Sequence, residues 1–236
     1  MPYTTVFKRY EIKYILTEEE YRALLPIISC HMHPDHFGNS TVRSLYFDTW
    51  DDRLIRRSME KPVYKEKLRL RSYATADAED GVFVELKKKY RHVVYKRRLF
   101  LSYGTAMEWL SGKTEAPFST QIAREISYFL SYYGPLRPAM LLFYDREAFV
   151  GEEGDGLRLT LDRNVLAKTE GLSLSEQVSG TPLLEEGRVL MEVKCNGGMP
   201  LWLVRALSER GIYKTSFSKY GTAYTGLVLG EKYKKG

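Results

Sequence analysis

Charged residues two positions apart recur along this chain. Glu11 and Lys13, Lys65 and Lys67, Arg69 and Arg71, Glu85 with Lys87 and Lys89, Lys96 and Arg98, and Glu192 and Lys194 form such sets, and Arg158 precedes Thr160 and Asp162 at the same spacing. In a β-strand, residues i and i+2 project from one face. The opposite parity is apolar: Ile12 and Tyr14, Leu68 and Leu70, Val84 and Leu86, Leu157 and Leu159, Met191 and Val193. A sheet wetted on one face would account for any single strand. Here the charged faces are mostly cationic rather than mixed, and each clusters near mid-strand. That pattern points to a barrel whose apolar face turns outward to covering helices and whose interior is lined by Lys, Arg and a few Glu. Such a lining repels itself when empty. It makes sense around a polyanion, with a divalent metal on the carboxylates. The chemistry that suits it is phosphoryl transfer, a problem of positioning and of neutralising spread negative charge.

The elements that must position these groups are legible from punctuation and periodicity. Strands are expected at about 6–15, 43–48, 63–73, 82–90, 93–101, 140–150, 157–163 and 189–195. Between them lie helical segments. "TEEEYRALLPIIS" opens with the Thr17/Glu20 capping box, and Pro26 is expected to kink or end it. "YGTAMEWLSG" closes at Gly112. "STQIAREISYFLSYYG" puts Ile122, Ile126, Phe129 and Leu130 on one face and stops at Gly134. "GGMPLWLVRALSERG" has Pro200 at its start and Gly211 at its end. Eight strands with few helices between them imply an α+β fold with an eight-stranded antiparallel sheet or barrel rather than a doubly wound one.

The chain has 236 residues, 44% hydrophobic and 28% charged, which suits a folded core and excludes disorder throughout. Eighteen Tyr and ten Phe favour strands. A net charge of +6 favours an anionic partner. Cys30 and Cys195 have no metal-type spacing and suggest a reducing compartment. The segment "MPYTTVFKRYEIKY" has no apolar signal core, and "AMLLFY" (139–144) is too short to span a bilayer, so a cytoplasmic protein is expected. No internal repeat divides residues 1–236, which are read as one domain.

Nine segments in order carry a resemblance: "RYEIKYIL" (9–16), "RSLYFDT" (43–49), "KEKLRLRSY" (65–73), "FVELKKK" (83–89), "YKRRL" (95–99), "FYDREAF" (143–149), "LRLTLDRNV" (157–165), "LMEVKCN" (190–196) and "SFSKYGTAY" (216–224). Together they resemble VTC domains, the polyphosphate polymerase domains of the vacuolar transporter chaperone family, within the CYTH or triphosphate tunnel metalloenzyme superfamily. With neither an SPX-like region nor a membrane segment, the chain is similar to the stand-alone bacterial form. The resemblance implies an eight-stranded tunnel barrel that transfers the terminal phosphate of ATP to a growing polyphosphate chain, using Mn2+ or Mg2+. It implies phosphate contacts from Lys13, Arg69, Arg71, Lys87, Lys96 or Arg98, Arg146, Arg158, Lys194 and Lys219, with Tyr144 and Ser218 beside them. Glu192 matches the metal-binding carboxylate, and Glu11 and Glu85 are further candidates. The implied partners are ATP, inorganic phosphate, pyrophosphate and polyphosphate, with no specific nucleic acid.

Two departures bear on the reaction. Tunnel hydrolases and cyclases typically open with Glu-x-Glu-x-Lys, and this chain has Arg9-x-Glu11-x-Lys13, which tilts the expectation toward the polymerase. Near the C-terminus, Ser216-Phe217-Ser218-Lys219 stands where Lys-Phe-Ser-Lys is usual, so one cation is missing or comes from Lys214. The alternatives are a tunnel hydrolase of triphosphate or nucleoside triphosphate, and a non-catalytic polyphosphate- or RNA-binding module. Two motifs are set aside. "SGKT" (111–114) has Met107 where a P-loop needs Gly, so it is read as a helix end. "CHMHPDH" (30–36) crowds Cys30, His31, His33, Asp35 and His36 into one loop with no distant partner, so it is not read as a zinc site. "EKYKKG" is read as a solvated tail.

Overall fold

The computed structural model describes residues 10–36, 38–91, 93–152 and 156–230. The first four positions of the expected first strand, Arg9 among them, and the tail "EKYKKG" lie outside the described residues. Ten strands form one antiparallel sheet. Eight are long: β1 (Tyr10–Leu16), β3 (Ser40–Asp48), β4 (Tyr64–Ser72), β5 (Gly81–Tyr90), β6 (Val93–Ser102), β7 (Arg137–Val150), β8 (Arg158–Lys168) and β10 (Val189–Cys195). They lie in the order β1-β10-β8-β7-β3-β4-β5-β6. The two-residue strands β2 (His33–Pro34) and β9 (Thr181–Pro182) pair with β7 and β8.

The apolar parity of each strand faces helices. α1 (Glu18–His31) and α5 (Leu201–Glu209) cover β1, β10 and β8, burying Leu16, Leu24, Ile28, Leu159, Met191, Val193 and Leu203 together. α3 (Tyr103–Leu110) and α4 (Gln121–Tyr133) cover β3 to β6, burying Leu45, Leu68, Leu70, Val84, Leu86, Trp109 and Phe129. Thr17 and Glu20 form the reciprocal capping box at the start of α1. Pro26 does not end that helix. It continues to His31, because Tyr21, Leu24 and Ile28 are buried on one stripe and packing outweighs the lost backbone bond. On α4 the buried stripe is Ala123, Ile126, Phe129 and Tyr133, with Ile122 and Leu130 at its margin. "SGKT" follows the end of α3, and Gly112 takes the left-handed conformation that ends it.

The sheet is strongly curled, because side chains from strands far apart in the ladder meet on its charged face. Glu11 of β1 lies 3.7 Å from Lys87 of β5. The expected closure of the barrel is not present among the described residues: no ladder joins β1 to β6. Instead Thr215 pairs with Lys13 on the outer edge of β1. That edge position is therefore taken by the segment following α5, which blunts an otherwise open edge.

Besides the short strands β2 and β9, three helices had no expectation: α2 (Arg53–Met59), α6 (Lys219–Ala223) and a wider-wound final helix at Tyr224–Leu229. α2 starts where buried Asp48 accepts from the backbone N–H groups of Leu54 and Ile55. The same carboxylate accepts from the Tyr220 hydroxyl, which ties α6 to the sheet. β8 runs five residues past its expected end at 163. Asn164 sits at positive φ and the β7–β8 register shifts there, a bulge that interrupts the alternation visible in sequence. No described helix is long and apolar enough to cross a membrane.

Candidate active site

The charged face of the curled sheet gathers the residues whose spacing first marked them. At its centre on β5 is Glu85, only 1% exposed. Arg69 donates to its Oε2 at 2.8 Å, Arg98 donates to its Oε1, and Lys96 lies 2.7 Å from Oε1. Arg71 is 4.0 Å from Oε2. Burial alone would raise this carboxyl, but the surrounding cations hold it well below its ordinary range. Glu85 is thus an ionised anchor already claimed by cations, and its geometry suits the orientation of arginines better than metal ligation.

Two tyrosines fix the guanidinium groups from the far side. Tyr46 accepts from Arg69 at 2.8 Å, and Tyr144 accepts from Arg71 at 2.9 Å. Tyr46 also stacks on Tyr220 of α6, with centroids 4.4 Å apart. Burial would raise the Tyr46 phenol, but Arg69, Lys67 and Arg71 bring it down to about 8. Tyr144, beside the β7 register shift, lies under both Arg146 and Lys219, with those cations 5.0 Å and 4.6 Å from its ring centroid.

The second cluster is built on β1, β7, β8 and β10, with Lys219 from the start of α6. Fully buried Asp162 receives Arg146 through two hydrogen bonds and Lys219 through a third at 2.5 Å. Lys219 also bonds Glu192 at 3.1 Å, Lys13 is 3.2 Å from the same Glu192 oxygen, and Lys194 is 3.9 Å from the other. Burial would raise the Glu192 carboxyl, but Lys219, Lys13 and Lys194 hold it well below its ordinary range. Glu11 lies between Lys13 and Lys87 at 3.5 Å and 3.7 Å. Burial opposes its ionisation, yet Lys87 and Lys194 bring it to about 2. Burial lowers Lys194 and Lys67 to about 8 each.

Of the residues expected in the site, Lys13, Arg69, Arg71, Lys87, Lys96, Arg98, Tyr144, Arg146, Glu11, Glu85, Glu192, Lys194 and Lys219 belong to this linked network. Ser218 does not present its hydroxyl there: the oxygen caps α6 by accepting from Gly221. Arg158 shares the parity of Thr160 and Asp162, but its guanidinium reaches Asp35 at 2.7 Å, and its side chain is 46% exposed. It sits at the rim. Lys214 is exposed, and Lys13 bonds the Phe217 carbonyl at 2.9 Å. Asp35 of the "CHMHPDH" loop is engaged by Arg158, and His31 stacks on Trp202. Both cysteines are unpaired.

Three partners of this network were missing from the expected set. Asp162 is the acid that pairs Arg146 with Lys219, Tyr46 orients Arg69, and Lys67 faces the Tyr220 ring. Their parity was visible in sequence, but their partners are set by cross-strand register, which places Asp162 opposite Arg146 and Tyr46 opposite Arg69, or come from α6.

A divalent cation here would draw its ligands from these oxygen donors. Among the described residues no group of three or more His, Cys, Asp or Glu side chains could hold one. Glu192 and Glu11 nevertheless flank each other diagonally across β1–β10 and are both ionised. Beside Glu192 on the ladder, the Thr160 hydroxyl is buried with no protein partner. This set fits a hard cation that shares its shell between one or two carboxylates and ligand oxygens, not a protein-only cage.

The VTC domain family model matches residues 8–228. The chain belongs to the VTC domain family. Among solved structures, a candidate adenylate cyclase from Bacillus halodurans superposes with a TM-score of 0.55 at 17% identity, covering 91% of this VTC chain and 96% of that one. A candidate adenylyl cyclase from Hippeastrum, described as having a dominant triphosphatase activity, superposes at 0.51 with 19% identity, covering 92% and 95%. At such identities the likeness establishes the fold alone. A search of curated proteins finds no match.

Proposed function

We propose that this VTC domain is a divalent-metal-dependent polyphosphate polymerase that transfers the terminal phosphate of ATP to a growing inorganic polyphosphate chain. The observation that carries the proposal is the concave face itself: linked guanidinium and ammonium groups, held in place by buried acids, in a chain of this family. The curled sheet is read as a tunnel open at both ends, with nucleotide at one mouth and product at the other.

Arg69, Arg71 and Arg146 are assigned to grip the triphosphate. Their guanidinium planes are fixed by Glu85, Tyr46, Tyr144 and Asp162, and fixed forks bind phosphate oxygens in pairs. Lys13, Lys87, Lys194 and Lys219 neutralise charge as the γ-phosphoryl group moves, and Lys96 and Arg98 hold flanking phosphates. Arg158 takes a peripheral contact at the rim. Glu192, with Glu11, would hold Mn2+ or Mg2+, whose chemistry when bound is to neutralise phosphate oxygens. A terminal oxygen of the acceptor attacks the γ-phosphorus, the bond to the β-bridging oxygen breaks, and ADP leaves. The attacking oxygen is already anionic, so no side chain has to remove a proton. Preorganised cations supply the stabilisation where charge develops.

The test is a primer experiment. Purified protein with ATP and Mn2+ should yield ADP and a ladder of long chains on a polyphosphate-stained gel, with pyrophosphate shortening the lag. Orthophosphate released in step with turnover, with no chains under any metal or primer, would replace the polymerase by the hydrolase.

A further inference from the structure

Every concave-face cation assigned above to the reaction has an acid partner, but one run of lysines does not. Lys13, Arg69, Arg71, Lys87, Lys96, Arg98, Arg146, Lys194 and Lys219 each lie within 4.0 Å of a carboxylate oxygen. Among the described residues, no carboxylate stands within ion-pair distance of Lys61, Lys65, Lys67 or Lys89. On the ladder Lys65 is directly opposite Lys89, and Lys67 directly opposite Lys87. Like charges facing across an antiparallel pair repel. The Lys65 ammonium is held at 3.1 Å by the Ser58 carbonyl, so it cannot swing away freely. Burial and then Lys89, Lys61 and Lys87 push its pKa down, the mark of a group surrounded by its own sign.

The run has a direction. Along β4 the concave positions read Arg71, Arg69, Lys67, Lys65. They span about 20 Å at strand rise. The arginines lie at the Glu85 cluster, and the lysines lead away from it toward the start of β4, where Lys61 is exposed. Resting on the polymerase reading above, we propose that Lys61, Lys65 and Lys89 form a second polyanion subsite, an exit rail that holds the finished part of the polyphosphate chain beyond the reacting phosphates. Cations without a carboxylate partner gain most from an external anion, because no internal ion pair has to be broken. Lysines suit a sliding polymer better than arginines, since a compact ammonium makes no fixed two-pronged contact. A polymer with a charge on every repeat matches opposed lysines more closely than one that spaces its charges with bases.

The test uses the full chain with Lys61→Ser and Lys89→Ser together. Lys65 is kept, because its ammonium also caps the end of α2. Affinities for tripolyphosphate and for long-chain polyphosphate are measured by competition at two salt concentrations, with circular dichroism to establish folding. The double variant should bind tripolyphosphate within about twofold of the parent, lose about tenfold for long chains, and show a shallower salt dependence for long chains only. Its product ladder from ATP should be shorter. Equal losses for both anions, or none for either, would overturn the rail. So would a single-stranded oligonucleotide that binds as tightly as polyphosphate and loses affinity equally. The binding arm needs no turnover. A parent that makes no chains while the double variant selectively loses long-chain binding would sink the polymerase and leave the rail standing.

Discussion

Replacing Glu85 by Gln preserves the side chain's shape and removes the charge that Arg69, Arg71, Lys96 and Arg98 share. Breaking a buried ion cluster by neutralising one member costs about 3–5 kcal/mol, mostly as the penalty on the charges left behind. Two of the four cations escape part of it: the Lys96 and Arg98 side chains are 42% and 36% exposed and can be solvated where they stand. Arg69 and Arg71 cannot, and the new amide turns N–H donors toward their own. The lower end, about 3 kcal/mol, is therefore the expectation. For a chain of this size that corresponds to a melting temperature lower by about 6–12 °C. Tripolyphosphate should then stabilise Glu85→Gln more than the parent, because the ligand returns the missing negative charge to the arginines. Thermal melts of both proteins, with and without saturating tripolyphosphate, give the four values needed. A variant melting within about 2 °C of the parent would refute the anchoring role. A gap unchanged by tripolyphosphate would refute the placement of phosphate at this cluster.

Lys67 and Lys194 lie near 8 while an unfolded lysine lies near 10.5, so between those values the unfolded chain holds more protons and stability of the ligand-free protein rises with pH. At pH 8 each is about half-protonated and Lys96, near 7, is mostly neutral, so tripolyphosphate binding should take up about one to two protons, read by calorimetry in buffers of different ionisation enthalpy, and affinity should weaken from pH 7 to 9.5. Zero proton uptake at pH 8 would contradict it. Glu192→Gln should retain the fold and lose turnover by about a hundredfold, with a Mn2+ titration requiring much higher metal. Full activity at ordinary Mn2+ would remove the metal role. Arg71→Lys keeps the charge but loses the fork, and should raise the KM for ATP by about tenfold, a change absent if only charge matters at that position.

The two faces of the sheet were readable because parity is a strictly local property. Leu68 and Leu70 are buried and Arg69 and Arg71 face inward, as the alternation of "KEKLRLRSY" requires. What alternation cannot give is which charges meet. The Asp162–Lys219 pair joins a strand to a short helix 57 residues away, and Tyr46 reaches Arg69 through cross-strand register. α2 escaped notice because its start is capped by Asp48, which lies inside the preceding strand rather than just before the helix. β8 was cut short because the bulge at Asn164 breaks the period. Closure is not seen among the described residues, where the outer edge of β1 pairs with Thr215, a contact with no local signature. Ser218 was expected beside the phosphates for its neighbours, but a serine oxygen that accepts from the N–H three residues on also caps a short helix, and here it does so for α6.

The most direct measurement is a phosphorus-31 NMR time course of the protein with ATP and Mg2+. Chain growth on the concave face predicts that the γ-phosphate signal of ATP is replaced by the internal-phosphate resonance of long polyphosphate, with ADP rising in equal amount and little orthophosphate. Arg71→Lys should slow that growth. A spectrum that gains only orthophosphate or pyrophosphate, with no internal-phosphate resonance at any time, would contradict the assignment of this face to polymer synthesis.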